Sequence, residues 1–194
     1  MFIEFLQKNK FFRRIISKSA QARAAGIITR IKPFLDKNDL ILDLGAGTCH
    51  ICKILSQKGH KVIPLDVQDL SFTDNIKPII YDGNKIPYGN NKFDKALILT
   101  VLHHTPDPEK ILREAKRTAK RIIVMEDIYS HTIHKHLTYF FDSLLNLEFT
   151  HHPHTNKNDT QWRKTFKKLG LKLVDVKYSH SFPVFTHAFY YLKK

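Results

Sequence analysis

The chain has 194 residues, 42% of them hydrophobic, which suits one domain with a proper core and excludes global disorder. Two cysteines are too few for a disulfide framework, and no apolar run approaches the roughly 18 residues that span a bilayer. The formal charge of +14 attracts polyanions such as nucleic acid or anionic lipid without choosing among them, and lysines spread over solvated faces give the same figure.

In chain order, residues 1–19 read as a basic amphipathic helix with Phe2, Phe5, Leu6, Phe12, Ile15 and Ile16 largely on one side. Its start carries Glu4 and places its positive charges after the apolar residues, unlike a secretory signal. A reducing cytoplasm is therefore the expected location. A second helix is expected over Ala20 to Arg30, ended with the help of Pro33. Together, residues 1–32 form a helical cap.

Residues 39–127 alternate strand and helix. Leu40 to Leu44 is the nearly all-apolar run of a strand buried on both faces. Thr48 to Lys58 reads as a helix stopped by Gly59. Strands follow at Lys61 to Leu65, Ile76 to Tyr81 and Phe93 to Thr100. The next helix has Asp107 as its cap, Pro108 at its first position and Glu109 at the positive end of its dipole. Arg121 to Met125 is a fifth strand. Residues 128–158, rich in aromatics and histidine, read as a helical insertion or lid. Asp159 or Thr160 starts a helix carrying Trp162, Phe166 and Leu169. Leu171 to Tyr178 and Val184 to Leu192 are joined too tightly for a crossover helix, so they pair antiparallel. The expected fold is a single α/β domain over 1–194: a Rossmann-like three-layer sandwich whose seven-stranded sheet is mostly parallel with an antiparallel C-terminal strand.

The chemistry concentrates at Asp43-Leu44-Gly45-Ala46-Gly47, between the first strand and its helix. Glycines there let the backbone approach a ligand, and the helix start beyond offers free N–H groups. A dinucleotide loop wants glycine or alanine three places past Gly47, where His50 stands. Asp43 beside the loop suits a cationic amino-acid tail and repels a diphosphate. Asp66, at the end of the second strand, is placed to take two ribose hydroxyls.

With Ile41 to Thr48, Asp66, Tyr81 to Tyr88, Phe93 to Leu97 and Val101 to Pro108 in this order, the sequence resembles the class I S-adenosylmethionine-dependent methyltransferases, in the branch with small-molecule substrates. The resemblance implies S-adenosyl-L-methionine as cofactor and in-line methyl transfer to a small-molecule acceptor. It implies Asp43, Gly45, Ala46 and Gly47 around the methionine moiety, Asp66 with Val67 at the ribose, and Asp82 with Gly83 at the adenine. Thr100 and Leu102 border the methionine end.

Three features depart from the family pattern. Cys49 replaces the usual third glycine. Only 15 residues separate Asp66 from Asp82, so the intervening helix is shortened or missing. Thr118-Ala119-Lys120-Arg121 replaces a Pro-Gly-Gly turn.

His103 and His104 follow the fourth strand, and either serves as a general base or only shapes the pocket. Cys49 and Cys52 lack the second pair of a zinc site and read as packing residues. His131, His134, His136, His151, His152 and His154 have no fixed carboxylate or thiolate partner, so no metal site is assigned. Two other readings stay open: an RNA or protein methyltransferase, motivated by the charge, and a non-catalytic binding module, motivated by Cys49.

Overall fold

Leu40–Leu44 forms β1 at the centre of the sheet, and its Ile41 and Leu42 are fully excluded from solvent. Each such side chain contributes about 1.5–3 kcal/mol of burial. The computed structural model describes residues 2–130, 155–181 and 185–194. The 128–158 insertion therefore lies mostly outside the described residues, including its six histidines.

The N-terminal helices are α1 (Phe2–Lys8) and α2 (Lys10–Ile31). The break falls at Asn9 rather than near residue 19, because the Asn9 side chain accepts the N–H groups of Phe11 and Phe12 and caps α2. No glycine or proline interrupts Ser17 to Gln21, so the helix runs through. Only its C-terminal half, through Ala24, Ile27, Ile28 and Ile31, is buried. Phe5, Phe12 and Ile15, read as lying on the apolar side of an amphipathic helix, are exposed.

Then come α3 (His50–Gln57), β2 (Lys61–Asp66), β3 (Ile79–Ile80), β4 (Phe93–Leu99), α4 (Pro108–Thr118), β5 (Ala119–Ile128), α5 (Asp159–Lys168), β6 (Lys172–Ser181) and β7 (Phe185–Lys193). The strand order is β3-β2-β1-β4-β5-β7-β6. All neighbouring pairs are parallel except β5–β7 and β6–β7. This is the expected sheet, closed by the expected antiparallel strand.

β3 is much shorter than the expected Ile76 to Tyr81. Pro78 has no N–H for a ladder, and the Ile76 carbonyl is taken by the Ser71 and Thr73 hydroxyls. No helix stands between β2 and β3, as the short spacing implied. Conversely, β5 continues past Met125 to Ile128, because β7 pairs with it as far as Thr186.

Period-two alternation divides β5 and β7 between two cores. Ile122, Val124, Ala188, Tyr190 and Leu192 face α4 and α5, packing with Leu112, Trp162 and Phe166. Ile123, Met125 and Phe189 face the other way, toward Ile27, Ile31 and Leu55 of α2 and α3. At the C-terminal end of the sheet this second face stops being apolar, and the candidate site lies there.

Candidate functional site

A cleft of about 1690 Å³ opens at the C-terminal ends of β1, β2, β4 and β5. That exceeds the roughly 300–1,000 Å³ of a typical small-ligand pocket, leaving room for two bound molecules. This position is where open parallel sheets bind ligands. Ile15, Ile16, Ser19, Ala20, Arg23 and Ile27 of α2 form one wall. The cap is tied down beside it: Ser17 Oγ bonds His50 Nε2 at 2.9 Å, and Gln7 donates to the carbonyls of Asp69 and Ser71.

The loop after β1 is shaped for close approach. Gly45 has φ +77°, and a Cβ there would lie 2.4 Å from Val101 Cγ2. Its N–H bonds the Leu65 carbonyl at 2.8 Å, stitching the loop to β2. Gly47, at φ +48°, has open space where a Cβ would stand. Cys49 also adopts a left-handed conformation, φ 61°, without being glycine. Its side chain is fully buried, so packing holds it in a strained conformation.

Asp66 binds the loop from the far side. Oδ2 accepts Gly47 N–H at 2.8 Å and Oδ1 accepts Val67 N–H at 2.7 Å. Oδ1 also accepts Gln68 N–H at 3.5 Å, while Oδ2 keeps a further lone pair for a ligand hydroxyl. Val67, more than half exposed, offers an apolar surface beside it. Asp82 is exposed and lines the same cleft, but its Oδ1 is engaged by the N–H groups of Asn84 and Lys85. Those backbone bonds hold its carboxyl below the usual range. Gly83, at φ +73°, packs against Val67.

Asp43 is buried at the base of the loop and accepts a bond from Cys52 Sγ at 3.1 Å. Burial, reinforced by the nearby Asp66 charge, pushes its pKa up to about 6 despite the Cys52 bond. A cation arriving there relieves a stored electrostatic cost. Burial also pushes the Cys49 thiol up to about 12 and raises Cys52 further. Both are inert packing residues, as expected.

Past β4 the chain turns through Thr100, at φ 57°, into a short 3-10 turn, Leu102–His104. Neighbouring residues on such a turn point about a third of a turn apart. Accordingly, His104 lines the cleft while His103 is fully buried, with Nδ1 2.5 Å from Glu126 Oε2. The two rings lie 4.1 Å apart, centroid to centroid, but only His104 lines the cleft. Asp43, Gly45, Ala46, Gly47, Asp66, Val67, Asp82, Gly83 and Thr100 all line the single cleft.

Four residues there were not singled out from the sequence. Arg23 donates to Thr100 Oγ1 at 3.0 Å. Glu126 holds the 3-10 turn from behind, while Asp127 and His187 supply polar groups at the end of the β5 and β7 face. The one signal for the last pair is polarity at inward-facing positions flanked by Met125, Phe185 and Phe189. Among the described residues, no group of three or more histidine, cysteine or acidic side chains is arranged to hold a metal ion.

A family profile described as a methyltransferase domain matches residues 42–122, from β1 into β5. These residues thus resemble a methyltransferase domain, and the seven-stranded sheet matches the Rossmann-like methyltransferase fold. An uncharacterized protein of Methanocaldococcus jannaschii is 35% identical over 80 residues, 41% of this chain and 39% of that protein. A tRNA U34 carboxymethyltransferase of Campylobacter fetus is 31% identical over 103 residues, 47% of this chain and 36% of that protein. The matched part is thus less than half of either curated relative. Magnesium protoporphyrin IX methyltransferase from Synechocystis, solved with bound SAH, shares the fold with a TM-score of 0.64 at 14% identity, over 96% of this chain and 88% of that one. S-adenosyl-L-methionine is the cofactor that this likeness implies.

The residues present fit that cofactor. Asp43 lacks a cationic partner, Asp66 keeps free acceptor capacity, and Gly47 leaves room for a ligand. Two carboxylates at the loop disfavour a diphosphate. No helix among the described residues is long and apolar enough to cross a membrane.

Proposed function

We propose that the protein transfers a methyl group from S-adenosylmethionine to a small-molecule acceptor, in the cytoplasm. One observation carries the reading: a single cleft joins the acidic glycine loop to a polar end built by Thr100, His104, Asp127 and His187. The cofactor supplies an electrophilic methyl group. Asp43 attracts its ammonium group, Asp66 receives ribose hydroxyls, and Val67, Asp82 and Gly83 border the base. Gly45, Ala46 and Gly47 admit the methionine backbone. Helix α2 forms one wall of the cleft, and the protein's share is mainly proximity and orientation. The two free, buried cysteines suit a reducing compartment.

An RNA acceptor is the second reading, favoured by the partial relative that acts on tRNA and by the +14 charge. Incubation with methyl-labelled cofactor and separated small-molecule, RNA and protein fractions decides between them. Label in the small-molecule fraction supports the first reading and label in RNA the second. Label in none overturns both.

A further inference from the structure

The polar end of the cleft is organised as a chain of three side chains. His187 stands directly opposite Asp127 in the β5–β7 ladder, and its Nδ1 bonds Asp127 Oδ1. On its other side, Nε2 lies 2.7 Å from Ser181 Oγ, on β6. Asp127 and His187 are largely buried, whereas Ser181 is exposed, and all three line the cleft. Resting on the methyltransferase reading, we propose that Ser181, His187 and Asp127 form a proton relay that deprotonates the methyl acceptor.

A carboxylate behind an imidazole fixes which nitrogen carries the proton and stabilises the cation that forms, while the outer nitrogen stays basic. The groups facing this imidazole are consistent with that role. Asp127 stands behind it on β5. Burial alone would raise this carboxyl, but the His187 bond and the charges of His187, His103 and Arg23 hold it below the usual range. It therefore stays ionised. From β6, Ser181 meets His187, while His180 bonds Thr186 instead. From α2, Arg23 reaches Thr100, which joins this end of the cleft to the end of β4.

The step balances without another reagent. The acceptor's nucleophilic atom bonds the methyl carbon as the carbon–sulfur bond breaks, with that electron pair remaining on sulfur. The nucleophile's proton passes to Ser181 Oγ as the serine proton passes to His187 Nε2. The imidazolium, paired with Asp127, then releases its proton to solvent.

The test compares wild type, His187→Ala, Asp127→Asn and Ser181→Ala for calorimetric S-adenosylmethionine affinity and for label transfer to the small-molecule fraction. The relay predicts cofactor affinity within about twofold of wild type and transfer lowered about 100-fold or more in His187→Ala. It predicts a smaller loss in Ser181→Ala. Added imidazole should restore transfer in His187→Ala, which a purely structural role for the ring does not allow. Transfer by folded His187→Ala within threefold of wild type, or a loss that imidazole leaves untouched, overturns the relay while leaving the methyltransferase reading intact. A wild type that transfers label to no fraction overturns that reading and the relay with it.

Discussion

Glu126 Oε2 lies 2.5 Å from His103 Nδ1, and both side chains are sealed from solvent. Glu126 Oε1 also accepts the N–H groups of Val101 and Leu102, at 3.1 and 2.8 Å. One carboxylate on β5 thereby fixes the whole turn after β4, which carries Thr100 and His104 into the cleft. The His103 ring is part of this arrangement and is sealed from solvent.

Replacing Glu126 by alanine removes the carboxylate that two buried backbone N–H groups and His103 Nδ1 share. The expected cost is about 3 kcal/mol or more, a fall of roughly 6–12 °C in Tm for a domain of this size. Thermal denaturation checks it; a Tm within about 2 °C of wild type contradicts the role assigned to Glu126.

The raised Asp43 carboxyl makes cofactor binding depend on pH. A cationic ammonium group prefers the ionised form, so affinity should weaken as pH falls through about 6. Asp43→Asn should bind weakly with little pH dependence. In the ligand-free protein, a folded pKa raised from 3.8 to about 6 means stability present below the lower value and lost as pH rises through the upper one. At neutral pH, ionised Asp43 costs about 3 kcal/mol, so Asp43→Asn should melt higher than wild type. Paired calorimetric titration and melting measure both signs, and a lower Tm in the variant at neutral pH refutes the electrostatic account.

Gly45 and Gly47 separate folding from binding. Gly45→Ala places a methyl 2.4 Å from Val101 at positive φ and should unfold the loop or the domain. Gly47→Ala meets no neighbour, so it should cost only about 1 kcal/mol of backbone strain. Cofactor affinity should nonetheless fall about tenfold or more, because the methyl enters ligand space. Equal effects of the two substitutions on Tm would show that the loop is not shaped for a ligand.

At the opposite end of the sheet, buried Lys95 bonds Asp36 at 2.7 Å and also Asp39. Burial opposes its charge, but the two carboxylate bonds outweigh it and hold the ammonium above the usual lysine range. Lys95→Met leaves Asp39 buried without its counter-ion and should cost about 3–5 kcal/mol. Cofactor affinity of the folded fraction should not change. A melting curve and a titration of the same sample report the two effects.

Much of this architecture was legible in the sequence because β1 is an apolar run followed by glycine, β2 one that ends in aspartate, and β4 closes on the apolar run Ala96 to Leu99. Asp43 and Asp66 stood out in the sequence beside the glycine loop and at a strand end, and both line the cleft. The Asp127–His187 pair was hidden for a physical reason: the two residues are distant in sequence and meet only when β7 pairs with β5. Glu126 was equally silent, since nothing local shows that it reaches back to Val101 and Leu102. The histidine pair after β4 looked equivalent until the 3-10 turn sent one ring inward. The expected strand at Ile76 to Tyr81 overran because Ser71 and Thr73 claim the Ile76 carbonyl, a competition that hydropathy does not register.

The most direct test of the central claim is a calorimetric titration of S-adenosylmethionine into wild type and Asp66→Ala, with circular dichroism confirming that both are folded. The structure predicts saturable binding by wild type and a loss of about tenfold or more in the variant, whose loop and ribose contacts are both gone. No binding by wild type, or equal affinity in the two proteins, would contradict the assignment of this cleft to the cofactor.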